Sequence, residues 1–163
     1  MDHQTKSDIE SNFRRIDKIL GSNIFHPSNS QNPLFQSALI ELLIRVRDLM
    51  AKSRIHAERV DFEDDIIQTD NIDDVTDLIT FIRNAVCHID SDNHNLDEIN
   101  ARLSFNAMFG KGSFAKIGDV ELKSDYDDDV CFFFGAQKVY LNRHLVRAYK
   151  EAKQNLIPEM KKV

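Results

Sequence analysis

The chain has 163 residues, of which 42% are hydrophobic and 29% are charged. This length and composition favour one globular domain over residues 1–163 and exclude fibrous and globally disordered classes. The formal net charge is −6, which argues against a general nucleic-acid coat, and Arg83 is the only Lys or Arg within the strongly acidic residues 61–100.

The N-terminal third predicts two helices. Ser7 and Glu10 form the Ser-x-x-Glu pattern of a capping box, and apolar residues at helical spacing follow until Gly21, which is expected to end the helix. Asn32 and Pro33 then predict the start of a longer helix that runs without a breaker until about residue 56.

The middle of the chain predicts a loop followed by a third helix. Residues 61–74 are acidic and show no periodicity, which favours an exposed loop. Asp73 or Asp74 is expected to cap the helix that follows. The apolar residues of this helix fall on one stripe at helical spacing: Val75, Leu78, Ile79, Ile82, Ala85, Val86 and Ile89.

The pattern changes after the polar residues 91–98. Short β-branched or aromatic segments at residues 103–109, 114–123 and 129–135 predict a small antiparallel meander. Residues 142–156 return to helical spacing, and Pro158 is expected to end that helix. The predicted fold class is therefore mainly α (α+β), a helical bundle with a small antiparallel β meander inserted before the C-terminal helix.

Targeting and cysteine signals favour a cytoplasmic protein. Residues 1–15 lack an apolar stretch behind a basic start, and no apolar run reaches the ~20 residues of a membrane span. We therefore expect no secretory signal and no membrane contact. Cys87 and Cys131 lack the spacing of zinc ligands, which predicts free thiols.

Two chemical hypotheses are rejected from spacing. The run Asp125–Asp129 lacks the glycine and the glutamate of a calcium-binding EF-hand loop, so it is interpreted as a solvated turn and not as a metal site. Cys87 and His88 are neighbours whose side chains diverge by ~100° on a helix, which argues against a thiol-protease pair. We expect neither a metal nor a cofactor.

Residues 83–88, with the sequence RNAVCH, are the segment that holds candidate catalytic residues. On a helical wheel Arg83 flanks the apolar stripe, and Asn84 and His88 lie on the far side, so the core needs none of them. Arg83 and His88 are ~7.5 Å apart along the helix axis and ~140° apart around it, so one copy cannot pair them closely unless the helix unwinds near its end. Two copies across a symmetric dimer can place both around one phosphate.

Such a group suits cleavage of RNA without a metal. A neutral histidine can take the proton of a ribose 2′-hydroxyl, arginine can bind the phosphate through two N–H groups, and asparagine can orient either partner. DNA, which lacks the 2′-hydroxyl, would not be cleaved.

This motif resembles that of the HEPN superfamily of helical nucleotide-binding and ribonuclease domains, written as arginine, a polar residue that is often asparagine, three further residues and histidine. The resemblance implies a helical bundle that dimerises through this helix. It also implies that Arg83 and His88 are the catalytic pair and that Asn84 is the supporting polar residue. The resemblance covers the helices and the six motif positions but not clearly the β segments.

The resulting hypothesis is a metal-independent endoribonuclease that binds RNA as a homodimer, with toxin–antitoxin or phage-defence systems as its context and an antitoxin or regulatory protein as a further partner. The alternative is a catalytically silent HEPN-like module that binds a nucleotide or a protein. A third hypothesis is a dimeric scaffold without nucleic acid, which would be favoured if Phe residues of the meander covered the Arg83 face. The structural alternative to any site is that Arg83 and His88 are solvated residues of a polar helix face.

Overall fold

The computed structural model describes residues 1–88, 95–96, 101–102, 105–117 and 120–162. The chain divides into two compact units, Met1–Phe62 together with Val146–Val163, and Glu63–Leu145. The single domain expected over residues 1–163 stays a prediction, because two compact units can belong to one domain.

The first unit consists of helices. They are α1 (His3–Gly21), a short 3-10 turn (Pro27–Asn29), α2 (Phe35–His56) and α4 (Arg147–Lys161). Helix α2 contacts both α1 and α4. The buried residues of α2 recur at helical spacing along one face: Phe35, Leu39, Leu42, Leu43, Val46, Leu49, Met50 and Ser53.

The helix limits differ from the predicted ones in four places. Helix α2 begins at Phe35, after the predicted start at Pro33, and the Asn32 side chain does not cap it. Helix α1 begins before Ser7, because the Asp2 carboxylate caps it and accepts a hydrogen bond from the Thr5 amide at 2.8 Å. Gly21 is the last helical residue, and the cap that follows it is right-handed, so no left-handed glycine ends the helix. Pro158 lies inside α4 instead of ending it.

The second unit contains helix α3 (Val75–Cys87), which confirms the predicted third helix and its Asp74 cap. The strands follow: β1 (Asn95–Leu96), β2 (Ala101–Arg102), β3 (Asn106–Phe109), β4 (Gly112–Ile117), β5 (Val120–Ser124), β6 (Val130–Phe134) and β7 (Gln137–Tyr140). A π-helical segment, Leu141–Val146, leads into α4.

The strands do not form one meander. The largest sheet has three antiparallel strands in the order β3-β6-β7, whereas β1 pairs with β2 and β4 pairs with β5 as separate two-stranded sheets. Strand β6 is buried along its whole length because it is the central strand of the three. Two of the expected strand segments, residues 103–109 and 114–123, extend in part beyond the described residues.

The predicted fold class is wrong. Over the described residues the protein is an α+β mixture, with four helices, a three-stranded antiparallel sheet and further two-stranded sheets. The expected bundle required α3 to pack with the other helices, but α3 belongs to the unit that holds the strands, where it contacts β7. In the described part of the chain no helix is long and apolar enough to cross a membrane.

Candidate functional site at the end of helix α3

Helix α3 holds the motif residues in place through its cap and its apolar face. The Asp74 carboxylate accepts hydrogen bonds from the amides of Thr76 and Asp77, at 2.8 and 3.0 Å, and so satisfies two free amides of the helix start. Five residues of the predicted stripe are buried: Val75, Leu78, Ile79, Ile82 and Ala85. Val86, which was expected in the same stripe, is half-buried, and Ile89 lies outside the described residues.

The side chains of Arg83 and Asn84 are half-buried and hydrogen-bonded to each other. Arg83 Nη1 donates to Asn84 Oδ1 at 3.1 Å, which holds the guanidinium beside the last turns of the helix. Among the described residues no carboxylate forms an ion pair with Arg83. Because a guanidinium carries five N–H donors, Arg83 keeps donors with which it can bind an anion.

His88 lies one residue beyond the helix. Its backbone is extended, with φ −125° and ψ 100°, and its amide donates to the Asn84 carbonyl oxygen at 3.1 Å. The side chain is exposed. The ~140° separation from Arg83 holds only for a continuous helix. It does not apply here, because the chain leaves helical geometry at His88.

The structure thus brings together two of the three predicted site residues. The guanidinium of Arg83 is bonded to Asn84 and not to His88. An arginine with available donors suits a phosphate, and an exposed imidazole can reach the atoms of a bound ligand.

The two cysteines differ in their surroundings although both are free thiols. Cys87 is exposed beside His88, whereas Cys131 is buried in β6, and this burial raises the pKa of the Cys131 thiol to about 12. Cys131 is therefore no nucleophile at neutral pH. Within the described ranges no group of three or more His, Cys, Asp or Glu side chains is arranged to hold a metal ion.

A second polar cluster surrounds Asp129. The predicted solvated turn is confirmed at Asp127 and Asp128, which are exposed turn residues, but it is wrong for Asp129. Asp129 is only 4% exposed. Its Oδ1 accepts from the amides of Val130 and Asn142, at 2.8 and 2.9 Å. Its Oδ2 accepts from the amide and from Nη1 of Arg143, at 3.0 and 3.2 Å. The carboxylate therefore caps the start of the π-helical segment.

Arg143 extends this cluster to the acidic loop that precedes α3. Its guanidinium carbon lies 3.6 Å from the centre of the Tyr126 ring, and the Tyr126 hydroxyl donates to Asp65 Oδ1 at 2.5 Å. The hydrogen bond to Asp65 raises the pKa of Tyr126. The cluster thus ties the loop at Asp65 to the end of the sheet.

His144 makes a second link to the same loop. It is fully buried, its Nδ1 accepts from the Tyr140 amide at 3.1 Å, and its Nε2 lies 3.1 Å from the Asp64 carbonyl oxygen. These partners require the neutral ring with its proton on Nε2. Burial lowers the pKa of His144, in agreement with this form. Neither Arg143 nor His144 was singled out from the sequence.

No family model, no curated protein and no solved structure matches the chain.

Proposed function

We propose that this protein is a metal-independent endoribonuclease of the HEPN type, with Arg83, Asn84 and His88 as its site. One observation carries the proposal: Arg83 is positioned by Asn84 at the end of α3 and has no carboxylate partner among the described residues, while His88 is exposed directly after the helix. An arginine that is oriented but not neutralised is what a phosphate site requires.

In the proposed reaction His88 takes the proton of a ribose 2′-hydroxyl. The 2′-oxygen then attacks the adjacent 3′-phosphorus, and the bond from phosphorus to the 5′-oxygen of the next nucleotide breaks. The leaving 5′-oxygen accepts a proton, and the products are a 2′,3′-cyclic phosphate and a 5′-hydroxyl. Arg83 stabilises the charge that develops on the non-bridging oxygens, and Asn84 holds the guanidinium in place.

The proposal includes a homodimer in which two copies of the α3 end face one RNA strand. Arg83 bonds to Asn84 instead of His88, so a second copy is the simplest source of a histidine opposite each arginine. Sedimentation velocity should show a dimer at micromolar concentration. A monomer at high micromolar concentration would contradict the shared site.

The test is cleavage of a fluorescently labelled single-stranded RNA. Wild type should cleave it in EDTA, and Arg83→Ala and His88→Ala should each lower the rate by about 10²–10³, the usual cost of losing one transition-state contact. Cys87→Ser is the matched control, because Cys87 is exposed and lies between the site residues. It should retain the wild-type rate.

Three results would contradict this function. One is loss of cleavage in EDTA with recovery on adding magnesium. Another is equal activity of the wild type and both alanine variants, which would point to a contaminating nuclease. The third is cleavage of an oligonucleotide with 2′-deoxy sugars throughout, because the mechanism needs the 2′-hydroxyl.

One observation favours the silent binding module as the second candidate. The unit Glu63–Leu145, which holds the motif, carries seven Lys and Arg against seventeen Asp and Glu. This charge repels the phosphates of a long RNA. A protein that binds mononucleotides through Arg83, or a basic protein through its acidic residues, but leaves RNA intact in the same assay would fit this candidate.

A further inference from the structure

Helix α2 carries a second apolar strip, opposite the face that packs in the first unit. The strip consists of Ile40, Ile44, Ala51 and Ile55, which fall within about 60° of each other on the helix. Ile44 is 41% exposed and Ile55 is 69% exposed, whereas Ile40 and Ala51 are half-buried. A helix that is apolar on two opposite faces is typical of one that is covered on both.

A groove lies beside this strip. Its volume is about 420 Å³, and its lining includes Ser37, Ile40 and Ile44 of α2 and Asn12 of α1. Asn12 is buried and donates from Nδ2 to Asp48 Oδ2 at 2.6 Å, so the floor of the groove is fixed by a side-chain bond between the two helices. The strip is therefore bordered by a concave surface that can seat a side chain.

On the flank of the strip that borders the groove, the charged side chains form ion pairs with one another. Glu41 accepts from Arg45 Nε at 2.9 Å and from Arg15 Nη1 at 3.3 Å, and Asp48 forms an ion pair with Lys52. The hydrogen bond from Arg45 lowers the pKa of Glu41. Each charged side chain named here therefore already has an oppositely charged partner within the chain.

On the other flank of the strip, the basic side chains are not paired within the described part of the chain. Arg47 and Arg54 are both exposed, and among the described residues neither forms an ion pair. Seven positions on a helix separate them by about 10.5 Å along the axis and about 20° around it, so they form one row beside the apolar strip.

We propose that this strip, Ile40, Ile44, Ala51 and Ile55 with the row of Arg47 and Arg54, docks an amphipathic helix of another protein whose one flank is acidic. Apolar residues at intervals of four, seven and four suit the apolar face of a helix lying along α2. Within the described ranges the two arginines have no ion-pair partner, so they suit carboxylates placed opposite them on the docked helix. An RNA strand would use the arginines but would leave the isoleucines without a partner. The proposal is independent of the nuclease function.

The experiment selects ligands from a phage-displayed library of helical peptides on the full-length protein. Selected peptides should carry apolar residues at three- and four-residue spacing with Asp or Glu on one flank. Binding of the strongest peptide, measured by fluorescence anisotropy, should weaken at least tenfold in Arg47→Glu/Arg54→Glu and in Ile44→Asp/Ile55→Asp.

Controls come from α4, which has an exposed isoleucine and an exposed basic residue. Ile157 is 37% exposed, and Lys150 is exposed and without an ion pair among the described residues. Ile157→Asp and Lys150→Glu should bind the peptide like the wild type. Circular dichroism should show the same helicity for all variants, because the substituted side chains lie on the surface.

Four outcomes would overturn the proposal. If the selected peptides bind the strip variants as tightly as the wild type, their binding site lies elsewhere. If the selection enriches no acidic amphipathic sequence, the strip does not prefer the proposed partner. If Ile44→Asp/Ile55→Asp converts a dimer to a monomer in sedimentation, the strip binds a second copy. If Arg47→Glu/Arg54→Glu lowers affinity for polyuridine while the isoleucine variant does not, the arginines bind RNA.

Discussion

Replacement of the buried carboxylate at Asp129 is the sharpest test of the architecture of the second unit. Asp129→Asn keeps the shape of the side chain but turns one acceptor oxygen into an NH₂ group. In the native protein that side of the carboxylate faces two donors of Arg143, the amide at 3.0 Å and Nη1 at 3.2 Å. The substitution therefore places the NH₂ group against these two N–H donors, and it removes the negative charge that offsets the guanidinium of Arg143.

The expected loss of stability follows from these contacts. A hydrogen bond to a charged group contributes ~1.5–3 kcal/mol, and breaking a buried charge pair by removing one partner costs ~3–5 kcal/mol. Because Asp129 is 4% exposed, water cannot replace the lost acceptor without opening the structure. We expect Asp129→Asn to lower the free energy of unfolding by about 3–5 kcal/mol, a large part of the ~5–15 kcal/mol of a typical domain.

The neighbouring Asp128 provides the control. Its side chain is 76% exposed and pairs with Nη2 of the same arginine, Arg143, at 2.9 Å. An exposed ion pair contributes ~0–1 kcal/mol, so Asp128→Asn should change stability little. Urea unfolding followed by far-UV circular dichroism measures both variants. Equal unfolding midpoints for Asp128→Asn and Asp129→Asn would refute the reasoning, because the two differ in burial and not in charge.

Three further predictions concern titration, thiol access and the separation of function from stability. Burial holds the pKa of His144 below its ordinary value of 6.5, so only the unfolded chain gains that proton as the pH falls below 6.5. Stability should drop there by up to ~1.4 kcal/mol per pH unit, and the urea midpoint of His144→Gln should depend less on pH than that of the wild type. A thiol reagent should modify exposed Cys87 rapidly and buried Cys131 only on unfolding, and fast labelling of both would contradict the burial in β6. Ile82→Asp should unfold the second unit by burying a charge, whereas Arg83→Ala should change the melting temperature little; similar losses in both would make Arg83 structural.

The helices could be predicted where the signal lies within one helix. Helix α3 was predicted with its cap because Asp74 and the apolar stripe lie within a few turns of each other. The start of α1 was misplaced because two capping patterns compete there. Ser7 has the pattern of a capping box, but Asp2 also caps a helix and forms its bond to Thr5 at 2.8 Å.

The end of α4 shows why a proline rule can fail. Proline removes one backbone donor and clashes with the carbonyl four positions earlier, which usually ends or kinks a helix. Pro158 lies in the last turn of α4, and both Pro158 and Gln154 are exposed. Water can therefore satisfy the freed carbonyl of Gln154, and only a short stretch of helix follows the proline.

The sheet could not be predicted because its pairing is not local. Strand β3 pairs with β6, from Asn106 opposite Phe133 to Phe109 opposite Val130, and the whole β4–β5 hairpin lies between them in the chain. Alternation within a strand indicates its faces but not its partner. A meander assumes that neighbours in sequence pair, and here β3 and β4 are in different sheets.

The same difference between local and distant contacts decides which parts of the candidate site could be predicted. Arg83, Asn84 and His88 were found because they form one short motif, and their nuclease role stays a prediction. His88 was placed on a helical wheel, although the chain is extended at that residue. A wheel angle assumes helical dihedrals at both residues, so it is least reliable at the last turn, where this motif lies.

The prediction that Asp129 is solvated was wrong, although the sequence contains a signal for its burial. Four aspartates within five positions look like a solvated turn, and nothing near them in the chain calls for a buried carboxylate. The signal lies instead at the helical segment that begins at Leu141, because Tyr140 precedes it and cannot cap it as Ser, Thr, Asp or Asn would. Its first amides need acceptors all the same, since an unsatisfied amide costs free energy when it is buried. A helix that lacks a local cap therefore predicts a distant one, and the Asp125–Asp129 run, little more than ten positions earlier, held the side chain that supplies it.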